Sequence, residues 1–131
     1  VNTTTLALDY LLSGKIKTNA TITAGGRIEV WAIASWDGTT YPDQITGSDS
    51  VRSMTNTNIK NVICRLVASL AVDATGTYHF AGVSTASIFG GTVPPKFVVW
   101  VTHSTHATNA LDATAANHQI RVQPVYENVA A

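Results

Sequence analysis

The chain has 131 residues and a mass of 13.9 kDa, with 8 Lys+Arg against 8 Asp+Glu. That supports one hydrophobic core and leaves no room for a substrate domain beside a cofactor domain. Charged residues make up only 12% of the chain, and Arg27, Arg52, Arg65 and Arg121 are dispersed, so neither direct nucleic-acid binding nor polybasic membrane adhesion is indicated.

The polar surface must come from 19 Thr, 9 Ser and 8 Asn. A surface this poor in charge repels other proteins weakly and suits a molecule that sits in an assembly, or equally an extracellular domain. No apolar run approaches the roughly 18 residues of a membrane helix. The start, VNTTTLALDYLL, lacks the positive region of a signal peptide.

In chain order, residues 1–5 read as an N-terminal arm or the edge of a first strand, 6–126 as a β-sandwich domain and 127–131 as a tail. Thr5 to Lys17 reads as extended, with Leu6, Leu8, Tyr10 and Leu12 on one side by period two. Gly25-Gly26 marks a turn. Arg27 to Ser35 is a clear strand with apolar residues on both sides, so it is expected to be covered on both faces. Asp37-Gly38 is the centre of a tight turn, and Tyr41-Pro42-Asp43 opens a long connection to residue 58. Connections of that length usually serve binding or assembly.

Ile59 to Val72 has near-helical spacing at Ile63, Leu66, Val67 and Leu70, with Asn58 or Asn61 as a cap. It also alternates from Val62 to Val72 and is rich in β-branched residues, and a strand is expected. A turn at 74–77, a strand from Thr77 to Gly82 and a short segment with one helical turn at 85–90 follow. Gly90, Gly91, Pro94 and Pro95 exclude an interior strand. Lys96 to Thr102 and His118 to Val125 are the last strands, the second ended by Pro124 and Tyr126, which fits an edge strand or a strand's last residues. The result is an all-β domain of seven or eight strands in two packed antiparallel sheets, jelly-roll-like or immunoglobulin-like. With Cys64 as its single cysteine, the chain cannot be a disulfide-bearing immunoglobulin domain.

Chemistry is sparse. His103-x-x-His106 is the one close histidine pair, with Asp112 or His118 as a third zinc ligand at a distance, but it sits in a Thr/Ser-rich segment and a polar surface loop is expected. Glu29 lies inside a strand and Glu127 near the tail. Asp37, Asp43, Asp49, Asp73 and Asp112 nearly all adjoin Gly, Pro, Ser or Thr, where carboxylates cap turns. The stretch from Asp43 to Ser50 lacks the ligand ladder of a calcium loop. Cys64 lies in an apolar run and reads as a core thiol. No nucleophile elbow, P-loop or dinucleotide fingerprint is present. No catalytic role, metal or cofactor is therefore expected. Trp31 and Trp100 read as packed, whereas Trp36 and Tyr41 flank a turn and are the aromatics placed for exposure, as an interface or as a sugar platform.

Four pieces, DYLLSGKIKT at 9–18, GGRIEVWAIASWDGTTYPD at 25–43, FGGTVPPKFVVWV at 89–101 and NHQIRVQPVY at 117–126, occur in an order that resembles a family of small virion structural proteins of tailed bacteriophages, some of which decorate or cement the capsid. The resemblance implies a jelly-roll-like β-sandwich without catalysis. It would lie on the outer surface of the capsid after assembly in the host cytoplasm, bound to the major capsid protein or other virion proteins. Apart from the resemblance, a homo-dimer or homo-trimer is a further option, since symmetry multiplies weak contacts. Candidate interface residues are Thr3, Thr4, Thr5, Trp36, Tyr41 and Asp43. Gly25, Gly26, Gly38, Pro42, Gly90, Gly91 and Pro94 would shape turns. A carbohydrate-binding sandwich and a phage tail component are the alternatives.

Overall fold

The computed structural model describes residues 7–48, 50–104 and 111–126. Six strands occur among them: β1 (Ala7–Lys17), β2 (Gly26–Ser35), β3 (Cys64–Val72), β4 (Thr77–Ser84), β5 (Lys96–His103) and β6 (Gln119–Tyr126). They form two antiparallel sheets of three strands, in the orders β4-β1-β6 and β3-β2-β5. The antiparallel, jelly-roll-like sandwich read from the sequence is present, with six strands among the described residues in place of seven or eight.

Period-two alternation explains the layering. Leu12 and Ile16 of β1 and Phe80 of β4 face Ile28, Val30 and Ala32 of β2 and Val67 and Val72 of β3 in the main core. Gly14 stands on this inner face. A Cβ there would come within 2.7 Å of both the Gln119 carbonyl oxygen and Phe80 Cε1, so only glycine lets β1 run this close to its neighbours. The other face of β2 is also covered. Trp31, Ile33, Ile45 and Cys64 form a second buried cluster, flanked by Tyr41, Met54, Ile63, Val98 and Trp100. The expectation that β2 is packed on both sides is met.

The segment from Ile59 to Val72 departs from its expected strand. Residues Thr57–Ile63 form a helix, α1, and only Cys64–Val72 are extended. The cap is Asn56, whose side chain accepts from the Asn58 N–H at 2.8 Å, not Asn58 or Asn61. The outer face of β2 supplies the reason. Lys60 Nζ lies 3.2 Å from Glu29 Oε2 and 4.5 Å from the Trp31 ring centroid, and Ile63 packs into the outer cluster. A strand at 57–63 would leave Trp31 and Ile33 without that cover. The alternation within β3 is broken as well: the register slips between Val30 and Trp31 of β2, leaving an extra residue beside Leu66, a β-bulge.

Among the described residues β6 pairs with β1 alone, so Pro124 sits on an edge strand, where a missing N–H costs no ladder bond. The short helix α2 (Thr85–Ile88) supplies the expected helical turn.

Candidate functional site

Strand register divides the molecule into two unlike ends. At one end lie the connections 18–25 and 73–76, the end of β5 and residues 111–118 ahead of β6. At the other lie the paired strand ends Ala7 and Tyr126, the long connection from β2 through α1, and the β4–β5 connection with α2. This second end is plugged by aromatic rings. Tyr10 meets Phe97 at 6.5 Å between centroids, Phe97 meets Phe89 at 6.4 Å, and Phe89 meets Trp36 edge-on at 6.0 Å. Such tilted and edge-to-face pairs are the favourable ring geometries.

The series ends at the surface. Trp36 is 57% exposed and Val62, at the end of α1, is 71% exposed. Together with Tyr41, Phe89, Asp37 and Arg65 they line an open cleft of about 780 Å³. Three positions far apart in the chain thus meet: the turn after β2, the α1–β3 junction and the segment after α2.

Hydrogen bonds fix the cleft walls. Asp37 Oδ1 accepts from the Thr40 N–H at 2.7 Å, the Thr39 N–H at 2.8 Å and the Ser35 hydroxyl at 2.9 Å. These bonds, led by the Thr40 and Thr39 N–H groups, hold its carboxyl well below the usual carboxylate range. Gly38 follows with φ 74°. Asp43 accepts from the Thr55 hydroxyl and from the Thr55 N–H, and these two contacts lower its pKa. They close the loop that carries Ile45 into the outer cluster. Arg65 Nη1 donates to the Val62 carbonyl at 3.2 Å.

Asp9 anchors the third wall and was not among the carboxylates that sequence reasoning singled out. Its Oδ1 accepts from the Thr85 hydroxyl at 2.9 Å, the Ala86 N–H at 2.8 Å and the Tyr10 N–H at 2.7 Å, and its Oδ2 from the Ser84 hydroxyl. Burial raises its pKa, but the Ser84 hydroxyl, the Ala86 N–H and the other donors outweigh it and lower the pKa overall. Asp9 therefore ties β1 to the start of α2 and so positions Phe89. Its only local cue was a carboxylate flanked by apolar residues, Leu8 and Tyr10.

Of the candidate interface residues, Trp36 and Tyr41 line the cleft. Asp43 is exposed, adjacent to the lining residue Pro42, with φ 57°. Thr3, Thr4 and Thr5 lie outside the described residues. Gly90 and Pro42 also line the cleft, and Gly90 and Gly91 have φ of 79° and 98°. Pro94 is buried just ahead of β5. Gly25 (φ 85°) and Gly26 stand at the start of β2, at the opposite end.

Among the described residues the histidines form no metal-holding group. His103 is exposed at the end of β5, and His106 lies outside the described residues, as do Asp49 and Glu127. His118 accepts from the Lys17 N–H through Nδ1 at 3.3 Å, so its Nε2 carries the proton and donates to the Asp112 carbonyl at 2.7 Å. Asp112 in turn pairs with Lys17 Nζ at 3.3 Å, and its carboxyl is held below the usual range by the Asn117 amide and the Thr114 N–H. These groups staple the β5–β6 connection to the end of β1. Among the described residues no group of three His, Cys, Asp or Glu is arranged to hold a metal. Cys64 is buried, and burial pushes its thiol up to about 11. No described helix is long and apolar enough to cross a membrane.

No protein-family model matches the chain, and no curated protein or solved structure matches it either.

Proposed function

We propose that this protein is a non-enzymatic virion structural protein, a capsid decoration or cement protein that binds between shell subunits and stabilises the head. The carrying observation is the gathering of exposed Trp36 and Val62 around one cleft at the end where β1 begins and β6 finishes. A large ring and an aliphatic side chain left in water beside a rigid sandwich are the usual anchors of a protein contact. The chain is charge-balanced and rich in Thr and Ser, which keeps like-charge repulsion low when copies crowd on a shell. The motif order that resembles tailed-phage virion proteins supplies the setting. In this reading the domain clamps adjacent subunits and opposes their separation under internal DNA pressure.

The test is particle disruption by heat or chelator, with and without bound protein. Added protein should raise the disruption temperature. Equal fragility in both samples defeats the cement reading.

The same cleft favours one second reading, a carbohydrate-binding module. Trp36 and Tyr41 offer ring faces, and Asp37 and Arg65 offer an acceptor and donors beside them. Glycan-array binding that disappears with Trp36→Ala and Tyr41→Ala would favour it over the virion contact.

A further inference from the structure

The cleft carries one anion and one cation on the same rim. Asp37 and Arg65 are both exposed lining residues, and neither takes part in an ion pair among the described residues. Asp37 is already oriented by Thr40, Thr39 and Ser35, so a partner charge would meet a preset carboxylate. A rim with both signs has a particular symmetry property. In a two-fold contact, residue i of one copy meets residue j of the other and j meets i. A surface that holds a carboxylate and a guanidinium at separate points can then pair with itself twice over. An acidic or a basic partner would satisfy only one of the two.

We propose that a second copy of this chain docks on the cleft through a two-fold contact, in which Trp36 and Val62 of the two copies pack together and Asp37 of each copy faces Arg65 of the other. The chain's equal numbers of acidic and basic residues mean that self-association carries no net-charge penalty. This rests on reading that end as an interface and is independent of its setting in a virion.

Sedimentation equilibrium of the full chain up to about 1 mM, the weak end of specific association, tests it. The expected result is a reversible monomer–dimer equilibrium. Arg65→Glu exchanges two attractive contacts for two repulsive ones and should weaken the dimer about tenfold. Raising salt should relieve the repulsion. So should adding Asp37→Asn to Arg65→Glu, because asparagine keeps the acceptor that Thr39 and Thr40 use while losing the charge. Val62→Ser, at a 71% exposed position, should weaken the dimer with an unchanged melting temperature. A wild-type chain that stays monomeric throughout overturns the proposal, as does a dimer indifferent to both Arg65→Glu and Val62→Ser. A monomer that still protects particles would sink the self-contact and leave the cement reading standing. A dimer without shell affinity would do the reverse.

Discussion

Replacing Asp9 tests the chain of contacts that builds the cleft. Asp9→Ala removes the acceptor shared by the Ser84 and Thr85 hydroxyls and by the Ala86 and Tyr10 N–H groups. Two of these donors have a fallback. The Tyr10 N–H also reaches Thr85 Oγ1 at 3.2 Å, and the Ser84 hydroxyl sits at a half-buried position where water can reach it. The Thr85 hydroxyl, on a residue with 0% exposure, does not, and the half-buried Ala86 N–H loses its Asp9 acceptor as well. Leaving a buried donor unpaired costs about 1–3 kcal/mol, and the two share one oxygen, so their costs do not simply add. About 2–3 kcal/mol is expected in all. At roughly 2 cal/mol/K of unfolding entropy per residue, 1 kcal/mol shifts the midpoint of a chain this size by about 4 °C. The melting temperature should therefore fall by about 7–11 °C. Asp9→Asn keeps the Oδ1 position that serves three donors and should cost about 1 kcal/mol. Thermal unfolding by circular dichroism measures both. Tryptophan fluorescence should also change in Asp9→Ala, because Phe89 packs edge-on against Trp36. Equal stability of Asp9→Ala and the wild type would refute the clamp.

The same carboxylate predicts a pH dependence. Its pKa in the fold lies below the ordinary 3.8, so its stabilisation is complete above about that value and is lost as pH falls through the lower, folded value. Urea midpoints taken downward from pH 5 should decline, and less steeply in Asp9→Asn. Gly14→Ala would force a Cβ within 2.7 Å of the Gln119 carbonyl oxygen; overpacking against backbone should cost about 2 kcal/mol, measurable as a lower urea midpoint. Cys64, with its thiol raised from the ordinary 9.0 to about 11, should react with a disulfide reagent at pH 8 on the order of 100-fold more slowly in the native chain than in denaturant, from the thiolate fractions alone. Equal rates in the two states would show that the thiol is not sheltered.

What the sequence determined by itself was whatever neighbouring residues encode. The alternation of Ile28, Val30, Ala32 and Ala34 with Trp31 and Ile33 marked β2 and its two covered faces. Asp37-Gly38 marked its turn, and Pro124 marked an edge strand or a strand's end. The run around Cys64 marked a buried thiol. These follow from backbone periodicity and turn chemistry, which act over a few residues.

The tertiary structure decided the rest. Residues 57–63 satisfy helix and strand patterns alike, and the need to cover Trp31 and Ile33, with Glu29 waiting for Lys60, settled the choice. Asp9 finds its partners 75–77 residues away, and no local pattern names them. Trp36, Arg65 and Phe89 become one cleft only because β2, β3 and β4 deliver their ends to the same side of the sandwich. Strand pairing sets such meetings, and the free energy of pairing belongs to the whole sheet and to no single segment.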